Sequence, residues 1–305
     1  MTKADDSDPV LWMMPFAAQN KAWGAPEPVD EIVIGNSYPA PAPFYDGDVE
    51  KLCMAHVSPA DAYLHSRVFD GSWSGDHSDT RVSAGAVALA ARTTDELCCV
   101  HTTATSNTLS WTLSTDGGES WTADQTIPDS PDSGSCDLAY SNNTLMLVTK
   151  TGSALTWSQF DGATWGGFQA VPGQSASGQP AVREFKGRPY LVYQSPGAGT
   201  TDVLWSVYDR AGSTWSTAQK VSVQAPKNPI YPALGVVPGD DKDEQLLGVA
   251  VDADGALWWC AYNGGAGTWT EAWQQIPGVA DAAHPRLASY NGTLYAFYAG
   301  TPAST

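Results

Sequence analysis

Five tryptophans, Trp12, Trp111, Trp157, Trp205 and Trp259, each stand two residues after a Leu or Val, and His65 stands two residues after Tyr63 in a related stretch. An indole face suits the apolar C–H face of a sugar ring, while nearby amides and carboxylates bond the hydroxyls. These six residues are therefore the candidate carbohydrate-binding set. The competing reading of the same tryptophans is packing between sheets.

Other chemistry is less well supported by the residues. His56 and His101 follow "LCMA" and "LCCV" at matching positions. Such a pair could ligate a metal, but one polar position per repeat facing a channel or rim is the simpler reading. No metal site and no cofactor are expected. A glycosidase needs two carboxyl groups about 5 to 9.5 Å apart, and most aspartates here sit in turns such as Asp70-Gly71 and Asp161-Gly162, where turn duty accounts for them. No nucleophile elbow, P-loop or dinucleotide fingerprint occurs in a fitting context. No catalytic residue is assigned.

The elements that would position these residues come from a repeat. "LTWSQFDGATW" (155–165) recurs as "LSWTLSTDGGESW" (109–121), "VLWSVYDRAGSTW" (203–215) and "LWWCAYNGGAGTW" (257–269), with looser copies at 10–23 and 63–73. The closing tryptophans fall at Trp23, Trp73, Trp121, Trp165, Trp215 and Trp269, 44 to 54 residues apart. A fixed period in this range marks a repeat architecture. Between copies lies a second hairpin pattern, as in "QPAVREFKGRPYLVYQ" and "HPRLASYNGTLYAFY". Four short strands and their loops need roughly 40 to 48 residues, and apolar runs such as Leu191-Val192-Tyr193 would bury both sheet faces. The expected fold is all-β, a six-bladed β-propeller with four antiparallel strands per blade. Residues 1–305 form one domain, with tryptophan hairpins near 10–34, 63–83, 109–127, 155–171, 203–221 and 257–276. The N- and C-terminal hairpins should share one blade, pairing strands near Leu11 and Tyr295 and leaving no free edge.

Composition narrows the partners. With 33 acidic against 15 basic residues the formal net charge is -18, a field that repels phosphate backbones and anionic lipid headgroups. Nucleic acid and membrane insertion are not expected. The acidic stretch Asp240 to Glu244 lacks the spacing of a calcium loop and reads as a solvated tip. Five cysteines, Cys53, Cys98, Cys99, Cys136 and Cys260, show no C-x-x-C spacing and read as reduced, buried thiols. The N-terminus carries no signal-like apolar run, so a cytoplasmic location or leaderless release is expected.

The unit L-x-W-x-x-[FY]-[DN]-G-x-x-W resembles the repeat of six-bladed fungal fucose-binding lectins, and "LWWCAYNGGAGTWTEAWQQIPG" (257–278) is similar to repeats of bacterial PLL-type lectins. The resemblance implies sites between blades, where an Arg and a Glu hold the sugar. Here the Glu position carries Trp12, Trp111, Trp157, Trp205, Trp259 and His65, and the Arg position carries Cys53, Cys98, Met146, Leu191, Leu247 and Tyr295. Fucose specificity is therefore not implied. "STDGGESW" (114–121) also resembles the Asp-box of sialidase propellers, but only seven arginines exist, and an acidic surface repels an anionic sugar.

The expectation is a multivalent, non-enzymatic lectin that binds neutral glycans of glycoproteins or glycolipids through inter-blade aromatic pockets. The alternatives are a glycoside hydrolase or lyase on the same scaffold and a protein-binding scaffold. Assembly into a homo-oligomer is compatible with either.

Overall fold

The computed structural model describes residues 9–33, 38–104, 106–132, 134–197, 202–221, 226, 229–239, 244–269 and 272–300, with residues 30–33 described through their backbone only. Every regular element among them is a β-strand, paired antiparallel. No helix is long and apolar enough to cross a membrane. Asp240 to Asp243 of the acidic stretch lie outside the described residues.

The strands group into sets of four, numbered here I to VI. Set I joins the two ends of the described chain: Val10–Ala17 pairs with Thr293–Gly300, which pairs with Ala283–Tyr290, while Glu27–Val33 flanks the other side. Leu11 lies opposite Ala299 and Pro15 opposite Tyr295. Set II runs Ala40–Asp46, Val49–Val57, Tyr63–Phe69 and the start of His77–Ala91. That last strand is 15 residues long and its second half leads set III, followed by Leu97–Thr103, Leu109–Ser114 and Gln125–Thr126. Set IV comprises Ser135–Ser141, Thr144–Thr151, Ala154–Phe160 and Gln169–Ser175. Sets V and VI begin at Ala181–Phe185 and Ile230–Val237 and end in outer ladders of two residues.

Turn chemistry explains why these segments fold back. Asn142-Asn143, Lys186-Gly187 and Asn291-Gly292 all have positive φ, from 46° to 77°. A two-residue hairpin turn matching the right-handed strand twist requires that conformation at both positions.

Side chains alternate across each strand, and here both faces are apolar. Met146, Val148 and Trp157 of set IV pack on Val182, Leu191 and Tyr193 of set V. Tyr190, Val192 and Trp205 of set V point the other way, onto Leu234, Leu246 and Tyr262 of set VI. The core is thus divided among the interfaces between sets. The closing tryptophans lock five of the six sets: Trp23, Trp73, Trp165, Trp215 and Trp269 sit 5.0 to 5.5 Å from Phe16, Phe69, Phe160, Tyr208 and Tyr262. All five cysteines are buried, and none is in a disulfide.

The leading strands of all six sets line one cavity of about 200 Å³, with Pro43, Leu89, Tyr140, Glu184, Val236 and Ser289 each supplied by a different set. Arg183 spans it, donating to the carbonyls of Leu138 and Leu287 at 3.3 and 3.2 Å. Nearby, the buried His284 ring lies 4.1 Å from Tyr38 and 4.4 Å from Tyr231. Burial, with the Arg286 charge, pushes its pKa down to about 4.

Two outcomes follow. Trp157 is 3 % exposed, and Trp157→Ala should cost about 3 to 5 kcal/mol in chemical denaturation. For His284, the unfolded chain takes up a proton below its ordinary value of 6.5 that the folded chain refuses until about pH 4. Stability should therefore fall as pH drops through that window, by roughly 2 to 3 kcal/mol, and melting curves of His284→Asn should show a shallower slope.

Candidate functional site

Parity along the strand decides where the six candidate residues point. In set IV, Phe160 opens the closing turn opposite Leu145, and Trp157 lies opposite Val148. In set II, Phe69 opens the turn opposite Leu52, which places Ser66, opposite Ala55, at the tryptophan position. The turn from Phe69 to Trp73 is one residue shorter than that from Phe160 to Trp165. In set I, Phe16 lies opposite Leu294, so Met13, opposite Phe297, is the equivalent residue. His65 and Trp12 are each one position away and so lie on the opposite face.

Trp111, Trp157, Trp205 and Trp259 share one face, and each packs against the following set with 3 to 7 % of its surface exposed. Their rings meet aromatic neighbours: Trp111 with Phe160 at 4.9 Å and Trp157 with Tyr208 at 5.0 Å. Trp12 is half-buried against sets VI and I, its Nε1 donating to the Gly300 carbonyl at 3.3 Å. His65 bonds Asp76 at 2.6 Å and faces Asp61. The faces of Trp111, Trp157, Trp205 and Trp259 are therefore occupied by protein. At the family's Arg position, Cys53, Cys98, Met146, Leu191 and Leu247 are buried as well.

An open site does occur between sets II and III. A cleft of about 700 Å³ is lined by the turn after Phe44 (Tyr45, Asp46, Gly47), the turn Asp70–Ser74, Asp95, and the Asp-box-like turn Thr115–Glu119. Its floor is made by that last turn. Asp116 accepts from Ser120 N at 2.9 Å and from Ser114 Oγ at 2.8 Å, and Ser114 Oγ accepts from Gly118 N. Gly117 and Gly118 have φ of 75° and 96°. A Cβ on Gly117 would lie 2.5 Å from Phe44 Cζ, and one on Gly118 would lie 2.9 Å from Cys53 Sγ. Only glycine allows this turn to press so closely on set II, and Ser66 seals the contact by donating to the Gly118 carbonyl.

The cleft offers three aromatic rings, one of them the buried Phe44, and an acidic wall. Tyr45, 40 % exposed, is the one exposed aromatic among the described residues, and Trp73 is half-buried beside it. Asp46, Asp70, Asp95, Asp116 and Glu119 face a single ammonium, Lys51. The 2.8 Å hydrogen bond to Asp46 raises the Lys51 pKa. Burial pulls Asp116 upward, but hydrogen bonds from Ser120 and Ser114 outweigh it and hold the carboxyl below its ordinary range. None of the six sequence candidates lines this cleft. Trp73, one of the closing tryptophans of the repeat, does, and the "FYDGD" turn that carries Tyr45 is not part of the tryptophan repeat.

No protein-family model matches the sequence, and no curated protein sequence matches it. Solved structures do. AofleA from Arthrobotrys oligospora aligns at a TM-score of 0.62 with 13% identity, covering 83% of this chain and 76% of that one. The fucose-specific lectin from Aleuria aurantia aligns at 0.59 with 13% identity over 89% of this chain and 95% of its own. A protein of unknown function from Dyadobacter fermentans aligns at 0.60 with 15% identity over 88% and 92%. The Aleuria aurantia lectin is described as a six-bladed β-propeller. The chain shares the fold of these structures, as the resemblance in the repeat implies.

Proposed function

We propose that the six sets are blades of one closed six-bladed ring and that the protein is a non-enzymatic, carbohydrate-binding lectin-like molecule. The cleft between sets II and III, with Tyr45 open to solvent above an acidic wall, is the observation that carries this reading. Tyr45 and Trp73 would cover the apolar face of a sugar ring, while Asp46, Asp70 and Glu119 accept hydrogen bonds from its hydroxyls. Five carboxylates against one lysine favour a neutral or amino-bearing sugar over an anionic one. The fold shared with fucose-binding lectins supports the class of ligand, and the missing Arg and Glu positions argue for a different sugar. Glycans on glycoproteins or glycolipids are the proposed partners, and other sites in the ring would raise avidity on a glycan-coated surface.

A glycan array should identify binders among neutral or hexosamine-bearing sugars. Tyr45→Ala should weaken that binding about 10-fold or more, as losing one stacked ring costs roughly 1.4 kcal/mol or above, without lowering the melting temperature. An array with no binder, together with hydrolysis of a glycoside that Asp70→Asn abolishes, would replace this reading with the enzyme alternative.

A further inference from the structure

A second polar cluster lies away from the cleft, on the other face of set II. His56 lies opposite His65 in the ladder between Val49–Val57 and Tyr63–Phe69. His65 lies opposite Ser78 in the outer strand, and Asp76 immediately precedes that strand. The ligand atoms of His56, His65 and Asp76 fall within 4.8 Å of one another. His56 Nε2 is 3.5 Å from Asp76 Oδ1, and His65 Nδ1 is 2.6 Å from Asp76 Oδ2. The sequence reading weighed His56 with His101; the fold instead pairs it with His65.

The burial pattern points to a missing partner. His56 is 2 % exposed; its Nδ1 makes no hydrogen bond, and its Nε2 has only the Asp76 carboxylate, 3.5 Å away. A buried polar group left in this state is unfavourable unless another species takes its lone pair. His65, 8 % exposed, has the Asp61 carboxylate behind it, with Nε2 3.3 Å from both oxygens and from Ser78 Oγ. A carboxylate backing an imidazole in this way orients it as a metal ligand. Arg67 Nε lies 3.4 Å from Asp76 Oδ1, so two carboxylates stand against one guanidinium and the locality remains negative. Asp76 is exposed, which leaves a coordination position open to water.

Set III provides an internal comparison. At the same register positions it carries His101, Ser110 and Asp124. There Arg81 Nε lies 2.6 Å from Asp124 Oδ1 and His101 Nε2 lies 3.2 Å from Asp124 Oδ2. The second imidazole is absent and a guanidinium already neutralises the carboxylate.

We infer that His56, His65 and Asp76 form a binding site for one divalent transition-metal ion of the zinc class. Two imidazoles and one carboxylate with an open fourth position suit Zn²⁺, whereas Mg²⁺ and Ca²⁺ prefer all-oxygen ligand sets. The ion would tie the second and third strands of set II to the start of its outer strand.

Calorimetric titration of the chelator-treated full chain with ZnCl₂ should give one site per chain, with no response to MgCl₂ or CaCl₂. CoCl₂ in its place should give visible absorption bands typical of nitrogen and oxygen ligation. His65→Gln and the exposed substitution Asp76→Asn should each weaken Zn²⁺ binding at least 10-fold, and Zn²⁺ should raise the melting temperature of the parent but not of Asp76→Asn. His101→Gln should leave the stoichiometry at one. No Zn²⁺ binding by the parent, unchanged binding in both His65→Gln and Asp76→Asn, or loss of the site in His101→Gln would each overturn the assignment.

Discussion

Each sheet in this protein is apolar on both faces, and a sheet of that kind must be covered on both sides. Along Arg188–Gln194, Tyr190 and Val192 face one neighbour while Leu191 and Tyr193 face the other. Apolar burial at roughly 25 cal/mol per Å² is lost wherever a face meets water, so the sets stack in series. The leading strand of each lies against that of the next: Ala40–Asp46 against His77–Ala91, and onward until Ile230–Val237 meets Ala283–Tyr290, which in turn meets Ala40–Asp46. Pairing of Val10–Ala17 with Thr293–Gly300 belongs to the same constraint, since it covers a strand edge that would otherwise be open.

Much of this was legible in the residues. The spacing of the closing tryptophans and the Asn-Gly and Lys-Gly turns announced four-stranded sets, and the chain's beginning and end on complementary hairpins announced the pairing of Leu11 with the last strand. The facing of individual residues was not legible. A strand has a period of two, so a turn one residue shorter between Phe69 and Trp73 moves Ser66 into the place that sequence spacing assigns to His65. An offset in the looser first copy moves Met13 into the place assigned to Trp12.

The tryptophans show a second limit of sequence reading. An indole that stacks on a sugar and an indole that stacks on Phe160 or Tyr208 have the same local sequence, because what differs is the neighbour brought by tertiary packing. The cleft escaped notice for the related reason that its wall is drawn from four separate turns, none of them informative alone. Only "STDGGESW" hinted at it, through two adjacent glycines whose need becomes clear once Phe44 and Cys53 are seen pressed against them.

The long strand His77–Ala91 bears on how that cleft behaves. It hydrogen-bonds to set II through its first half and to set III through its second, bending at Gly85, where φ is 115° and the ladder register shifts. The two walls of the cleft are therefore joined through one hydrogen-bonded ribbon, whereas among the described residues no other neighbouring sets share a strand ladder. A gap held open by backbone needs no rearrangement to admit a guest. The entropy that mobile walls would surrender on binding has already been given up when the chain folds.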